Sequence, residues 1–172
     1  MSAVPPFASI PVGVVVERSK SASQWAEFYW RPVSVLAGVP ETAPWTKLRE
    51  HGEHATFYAG SAEIKLYRTE TSNYRDNLAL TSPLLWVILQ PVERDPPFEL
   101  LTVTADPAEG EAMTEAGVNL VDTVPMPMPM QEAIAAFIAE HHVDQVFVKR
   151  KRDRANPEAL GRHGPSLRED RK

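Results

Sequence analysis

The sequence predicts an α+β domain: a mostly antiparallel sheet of six to seven short strands, rolled into a barrel or a sandwich, followed by a C-terminal amphipathic helix. Three observations predict it. The 16 prolines outnumber the 8 glycines and fall in short clusters, which mark frequent chain reversals. Apolar residues come mostly in short β-branched or alternating runs. Only residues 129–142 sustain a long helical stripe.

Residues 11–17 are short and β-branched, so they read as the first strand, with residues 19–23 as a turn. Residues 25–36, aromatic and then β-branched, form the second strand; Pro32 has no N–H for a ladder bond, belongs at an edge or a bulge and is expected to split this stretch in two. Residues 45–50 form a short strand, and His51, Gly52, Glu53 and His54 turn into residues 55–60. A further hairpin is expected before residues 63–68, where Ile64 and Leu66 share one face. Residues 71–80 suit a short helix capped by Thr71 or Ser72. The unbroken apolar run 84–89, bounded by Pro83 and Pro91, reads as a central buried strand. Residues 98–104 return beside it, with Leu101 and Val103 on one face. Asp106 and Pro107 open a helix that Gly117 stops, and residues 118–124 make the last strand. In the final helix Met130, Ile134, Phe137, Ile138 and His141 make one stripe. This element order resembles that of pleckstrin-homology-like domains, a likeness of fold that carries no function.

Three segments follow: a flexible N-terminus over 1–10, a single α+β domain over 11–148, and a basic tail over 149–172 expected to be disordered when unbound. The tail holds 9 Lys and Arg against 4 Asp and Glu, whereas residues 1–148 hold 9 against 19. An acidic body of net charge −10 thus hands over a cationic end of net charge +5. The absence of cysteine removes disulfides, thiolate metal sites and cysteine nucleophiles. With no apolar run of about 18–20 residues, a cytoplasmic protein without membrane contact is the expectation. No phosphate loop, nucleophile elbow, His-Glu-x-x-His or dinucleotide fingerprint is present, so neither catalysis nor a cofactor is expected.

Three stretches stand in a recognisable order: 12–18, with Val14, Val15 and Val16; 25–36, with Trp25, Trp30 and Arg31; and 147–154, with Phe147 and its basic run. Together they resemble an uncharacterised proteobacterial family of unknown function. The resemblance implies a gene setting beside molybdopterin-dependent oxidoreductases such as formate dehydrogenase, and it supplies no active site. Some members of that family bear the name of molybdopterin-guanine dinucleotide synthesis enzymes. This chain departs from that chemistry, because its first strand runs into Glu17, Arg18, Ser19 and Lys20 without the glycine-rich loop a triphosphate needs.

The function expected is therefore that of a non-catalytic accessory protein for assembly or maturation of a molybdenum-dependent oxidoreductase. The alternative is a pterin- or nucleotide-binding enzyme or carrier in molybdenum cofactor biosynthesis. Candidate partner-binding residues are Trp25, Tyr29, Trp30 and Arg31, with Phe147, Lys149, Arg150, Lys151, Arg152 and Arg154, since Trp, Tyr and Arg dominate interface hot spots. On a strand, Trp25 and Tyr29 would share one face and Phe28 and Trp30 the other. The partner is expected to be the oxidoreductase or its chaperones; the acidic body argues against nucleic acid. His51 and His54 lack a third ligand at matching spacing, and His141 and His142 suit the negative end of a helix. The alternating prolines and methionines over 124–130 either lay the chain into the last helix or form a docking strip.

Overall fold

The chain is represented by a computed structural model that describes residues 5–144. Its strands are β1 (Ala8–Lys20), β2 (Phe28–Ala37), β3 (Thr46–His51), β4 (His54–Leu66), β5 (Leu84–Pro91), β6 (Phe98–Thr104) and β7 (Leu120–Pro125). The helices are α1 (Thr71–Leu78), α2 (Pro107–Ala116) and α3 (Met128–His141). Two antiparallel sheets form, ordered β2-β1-β4-β3 and β6-β5-β7, and they do not join into a closed barrel. The expected α+β class with mostly antiparallel pairing is what the chain adopts.

The long strands β1 and β4 carry the larger sheet. The ladder to β4 shifts register between Val14 and Val15, and the ladder to β2 between Val15 and Val16, where Val16 faces Pro32. Two irregularities at one level let a 13-residue strand coil over a core. Pro32 thus sits at a bulge on an edge strand, as its missing N–H requires, but it does not split the stretch, because the bulge absorbs it and β2 runs on from Phe28 to Ala37. β4 runs through Gly60, at φ 135, instead of turning there: glycine adopts an angle that other residues avoid, and the strand bends without a hairpin. β1 starts at Ala8, so Ala8, Ser9 and Ile10 pair with Leu66, Lys65 and Ile64 and do not belong to a free terminus.

In the smaller sheet β5 is central and buried on both faces, which is why its sequence is apolar throughout. Leu85, Val87 and Leu89 join the main core, while Trp86 lies against Gly110 of α2. A register shift opposite Ile88 and Leu89 leaves Leu101 outside the ladder; it is exposed while Val103 is buried, so the two do not share a face. α2 follows the sequence reading closely: the Asp106 side chain accepts the Ala108 N–H, Pro107 opens the helix, and Gly117 ends it at φ 68.

α3 covers the end of the core where β1 begins and β4 ends. Its stripe buries Met130, Ile134 and Phe137, and Phe137 meets Tyr74 of α1 and Phe7 ahead of β1. Met126 is also buried and Met128 is exposed, so residues 124–130 chiefly lay the chain into α3. The cap of α1 is Glu70, not Thr71 or Ser72; the Thr71 hydroxyl lies 2.9 Å from His142 Nδ1 and ties α1 to the end of α3. Asn77 fastens α1 to the smaller sheet: its side-chain N–H groups donate to the Leu84 and Ala105 carbonyls, and its oxygen accepts the Leu84 N–H.

Tyr74 is almost fully buried and accepts the Tyr67 N–H at 3.0 Å. Burial pushes its hydroxyl up to about 12 from its ordinary value near 10. An unfolded chain therefore releases this proton first. The contribution is fully present below pH 10 and is lost as pH rises from about 10 through about 12. Tyr74→Phe is expected to flatten that alkaline loss, and at neutral pH to cost about 1–2 kcal/mol through the lost hydrogen bond. Urea midpoints for both proteins at pH 8 and pH 11 check both effects.

Candidate functional site

The opposite end of the larger sheet, where β1 ends and β4 begins, carries the candidate site. The loop over residues 21–27 is closed by the Ser21 N–H donating to the Glu27 carbonyl at 3.0 Å. The Ser21 and Ser23 hydroxyls accept the N–H groups of Ser23 and Trp25. Trp25 is presented on this braced loop, 94% exposed, and not on β2 as the alternation implied. Tyr29, 56% exposed, and Arg31 follow on the outward face of β2, and Arg31 bridges to Glu17 of β1 at 3.3 Å. Water solvates an indole poorly, so a fully exposed Trp beside an exposed Tyr and Arg is the composition of a contact surface.

Trp30 faces the other way. It is 7% exposed and is the hub of an aromatic corner, with Phe57, Trp45, Phe98 and Phe28 at centroid distances of 5.7, 6.0, 6.3 and 6.5 Å. The reading of Trp30 as an outward contact residue is corrected accordingly, while its pairing with Phe28 on one face holds. Arg18 continues the inward face of β1 beyond Val16 and lays its guanidinium 4.3 Å from the Phe28 centroid, within 5.2 Å of Phe57. No carboxylate lies within ion-pair distance of it among the described residues, although its charge helps, after that of Lys47, to hold the Glu50 carboxyl below its usual range. No local pattern announces this stack, because Arg18, Phe28 and Phe57 lie on three different strands.

Two grooves open beside the aromatic corner. One, of about 470 Å³, lies between the start of β2 and the β5–β6 connection, with Phe28, Trp30, Pro97 and Phe98 in its walls. The other, of about 440 Å³, is lined by Pro44, Trp45, Gly60 and Leu100. Arg94 borders both. Trp45 holds a left-handed backbone at φ 65, a rare conformation for a bulky residue, and its N–H donates to the Tyr58 carbonyl.

Other candidates dissolve into structure. His51 and His54 face each other across the β3–β4 turn, and His54 Nδ1 lies 3.7 Å from Glu17. Among the described residues no group of three His, Asp or Glu is placed to hold a metal ion, and no helix is long and apolar enough to cross a membrane. Lys47 holds the Glu50 carboxyl below its usual range from 2.9 Å, an exposed pair without consequence for binding. Phe147, Lys149, Arg150, Lys151, Arg152 and Arg154 lie outside the described residues.

Fold and surface together define a class: a two-sheet α+β domain that exposes Trp25, Tyr29 and Arg31 at one end of its larger sheet. The chain belongs to the DUF3305 family, proteins of unknown function, whose model matches residues 11–151. No curated protein matches the chain, and no solved structure matches it either.

Proposed function

We propose that this protein is a non-catalytic accessory factor that docks on a molybdenum-dependent oxidoreductase, or on its chaperones, during assembly or maturation in the bacterial cytoplasm. The docking residues in this reading are Trp25, Tyr29 and Arg31 on the folded domain and, as a separate element of the sequence, the basic run of Lys149, Arg150, Lys151, Arg152 and Arg154. The observation that carries it is Trp25: an indole 94% exposed on a hydrogen-bonded loop has no packing role of its own. The choice of an oxidoreductase as partner follows the resemblance of residues 12–18, 25–36 and 147–154. The likeness to pleckstrin-homology-like domains stays one of composition, four strands plus three and then a helix.

Trp25→Ala is expected to leave stability within about 0.5 kcal/mol of the parent, because the side chain packs on nothing, while cutting capture of the partner several-fold. Thermal melts beside affinity capture separate the two effects. The pterin or nucleotide reading is favoured by the aromatic-walled groove of about 470 Å³. It predicts that a guanine nucleotide at about 100 times its dissociation constant stabilises the fold by about 2.7 kcal/mol, readable as a thermal shift.

A further inference from the structure

The two grooves beside Trp30 and Trp45 have no part in the leading docking reading, although the first begins at Ala26 and Glu27, next to Trp25. We propose that they form a single cleft for a proline-containing, cationic, extended segment of the partner protein. This rests on the reading of the domain as a docking module and adds the chemistry that the partner must present. The walls are aromatic and proline-rich: Phe28, Trp30 and Phe98 on one side of the corner, Pro44 and Trp45 on the other. Proline rings pack flat on such surfaces, and a polyproline-type segment is already extended before it binds, so little entropy is lost.

The donors point the same way. The Trp45 indole N–H has no hydrogen-bond partner among the described residues, and it is not a buried orphan. A polyproline-type strand offers carbonyl acceptors without competing N–H groups, which suits an indole donor that lacks an internal acceptor. Charge selects the sign. Glu27 and Asp95 line the first groove and Glu99 the second, against Arg94, which is already 3.8 Å from Glu99, and Arg18, whose guanidinium stacks on Phe28. Glu27 and Asp95 have no cationic partner among the described residues. Arg18 demonstrates within the fold that a guanidinium rests on Phe28.

The test is fluorescence polarisation on the full chain with a labelled peptide of three Arg-Pro-Pro repeats, beside the matching Glu-Pro-Pro and Arg-Ala-Ala peptides. Saturable binding of the first is expected, at least tenfold tighter than either analogue. It should weaken at least tenfold in the double variant Glu27→Gln, Asp95→Asn, whose exposed changes leave the fold intact, and severalfold in Trp45→Phe, which keeps a ring and loses the N–H. No saturable binding, equal affinity for all three peptides, or indifference to these variants overturns the proposal. So does a concentration-dependent dimer broken by the double variant, which assigns the cleft to a second copy. Oxidoreductase capture lost in a Trp25→Ala, Tyr29→Ala protein but undiminished in the Glu27→Gln, Asp95→Asn protein leaves the docking function standing and removes the cleft from it.

Discussion

Gly110→Ala is expected to lower stability by about 2–3 kcal/mol, although alanine is the better helix former by about 1 kcal/mol. The reason is a close approach: Gly110 presses α2 onto the face of Trp86, and a methyl group would fall inside the van der Waals envelope of the indole. Neither side can yield easily. Trp86 is fixed in the central strand of its sheet, and α2 is fixed by the Asp106 cap and the turn at Gly117. A melting temperature about 5–10 °C below the parent is the expected reading for a chain of this size. Trp86→Leu, which vacates the space, should recover part of that loss when combined with Gly110→Ala. A double-mutant cycle with no coupling would show that the two residues do not meet.

Trp30→Ala is expected to cost about 3–5 kcal/mol, the largest effect of any single substitution at the aromatic corner. Four rings surround Trp30, and it touches residues from β2, β4 and β6 as well as Trp45, so removing it opens a cavity where the two sheets come together. Trp30→Phe retains a ring at the hub and should cost roughly half as much. Chemical denaturation of the three proteins orders them. Equal stability of Trp30→Ala and the parent would mean that the corner is not a packed part of the core.

Where one short segment contains its own instructions, the sequence was enough. Asp106, Pro107 and Gly117 specify both ends of α2, the apolar run at 84–89 specifies a strand buried on both faces, and the 3.6-residue stripe specifies the buried face of α3. The failures occur where a distant partner overrides the local pattern. Gly60 looks like a turn residue, yet pairing with Val14 carries β4 straight past it. Leu101 obeys the alternation of β6 until a register shift opposite Ile88 and Leu89 turns it outward. Trp25 precedes a β-rich stretch but is held in a loop by two serine hydroxyls.

The site divides along the same line. That Phe28 and Trp30 face inward and Tyr29 outward was legible from alternation, whereas Trp25 is exposed because it stands on the loop ahead of β2. The Arg18 stack, the grooves and the left-handed Trp45 were not, since each needs strands β1, β2 and β4 or the β5–β6 connection to be brought together first. The basic run at Lys149, Arg150, Lys151 and Arg152 remains a statement of sequence, outside the described residues.

The docking function is tested most directly by affinity capture of the full chain from the cells that encode it, with recovered proteins identified by mass spectrometry. The wild type is run beside a Trp25→Ala, Tyr29→Ala protein of unchanged melting temperature. The expected result is a subunit or chaperone of a molybdenum-dependent oxidoreductase, recovered with the wild type and reduced at least fivefold with the variant. Recovery of that protein in equal amount by both, or recovery of no oxidoreductase component by either, would contradict it.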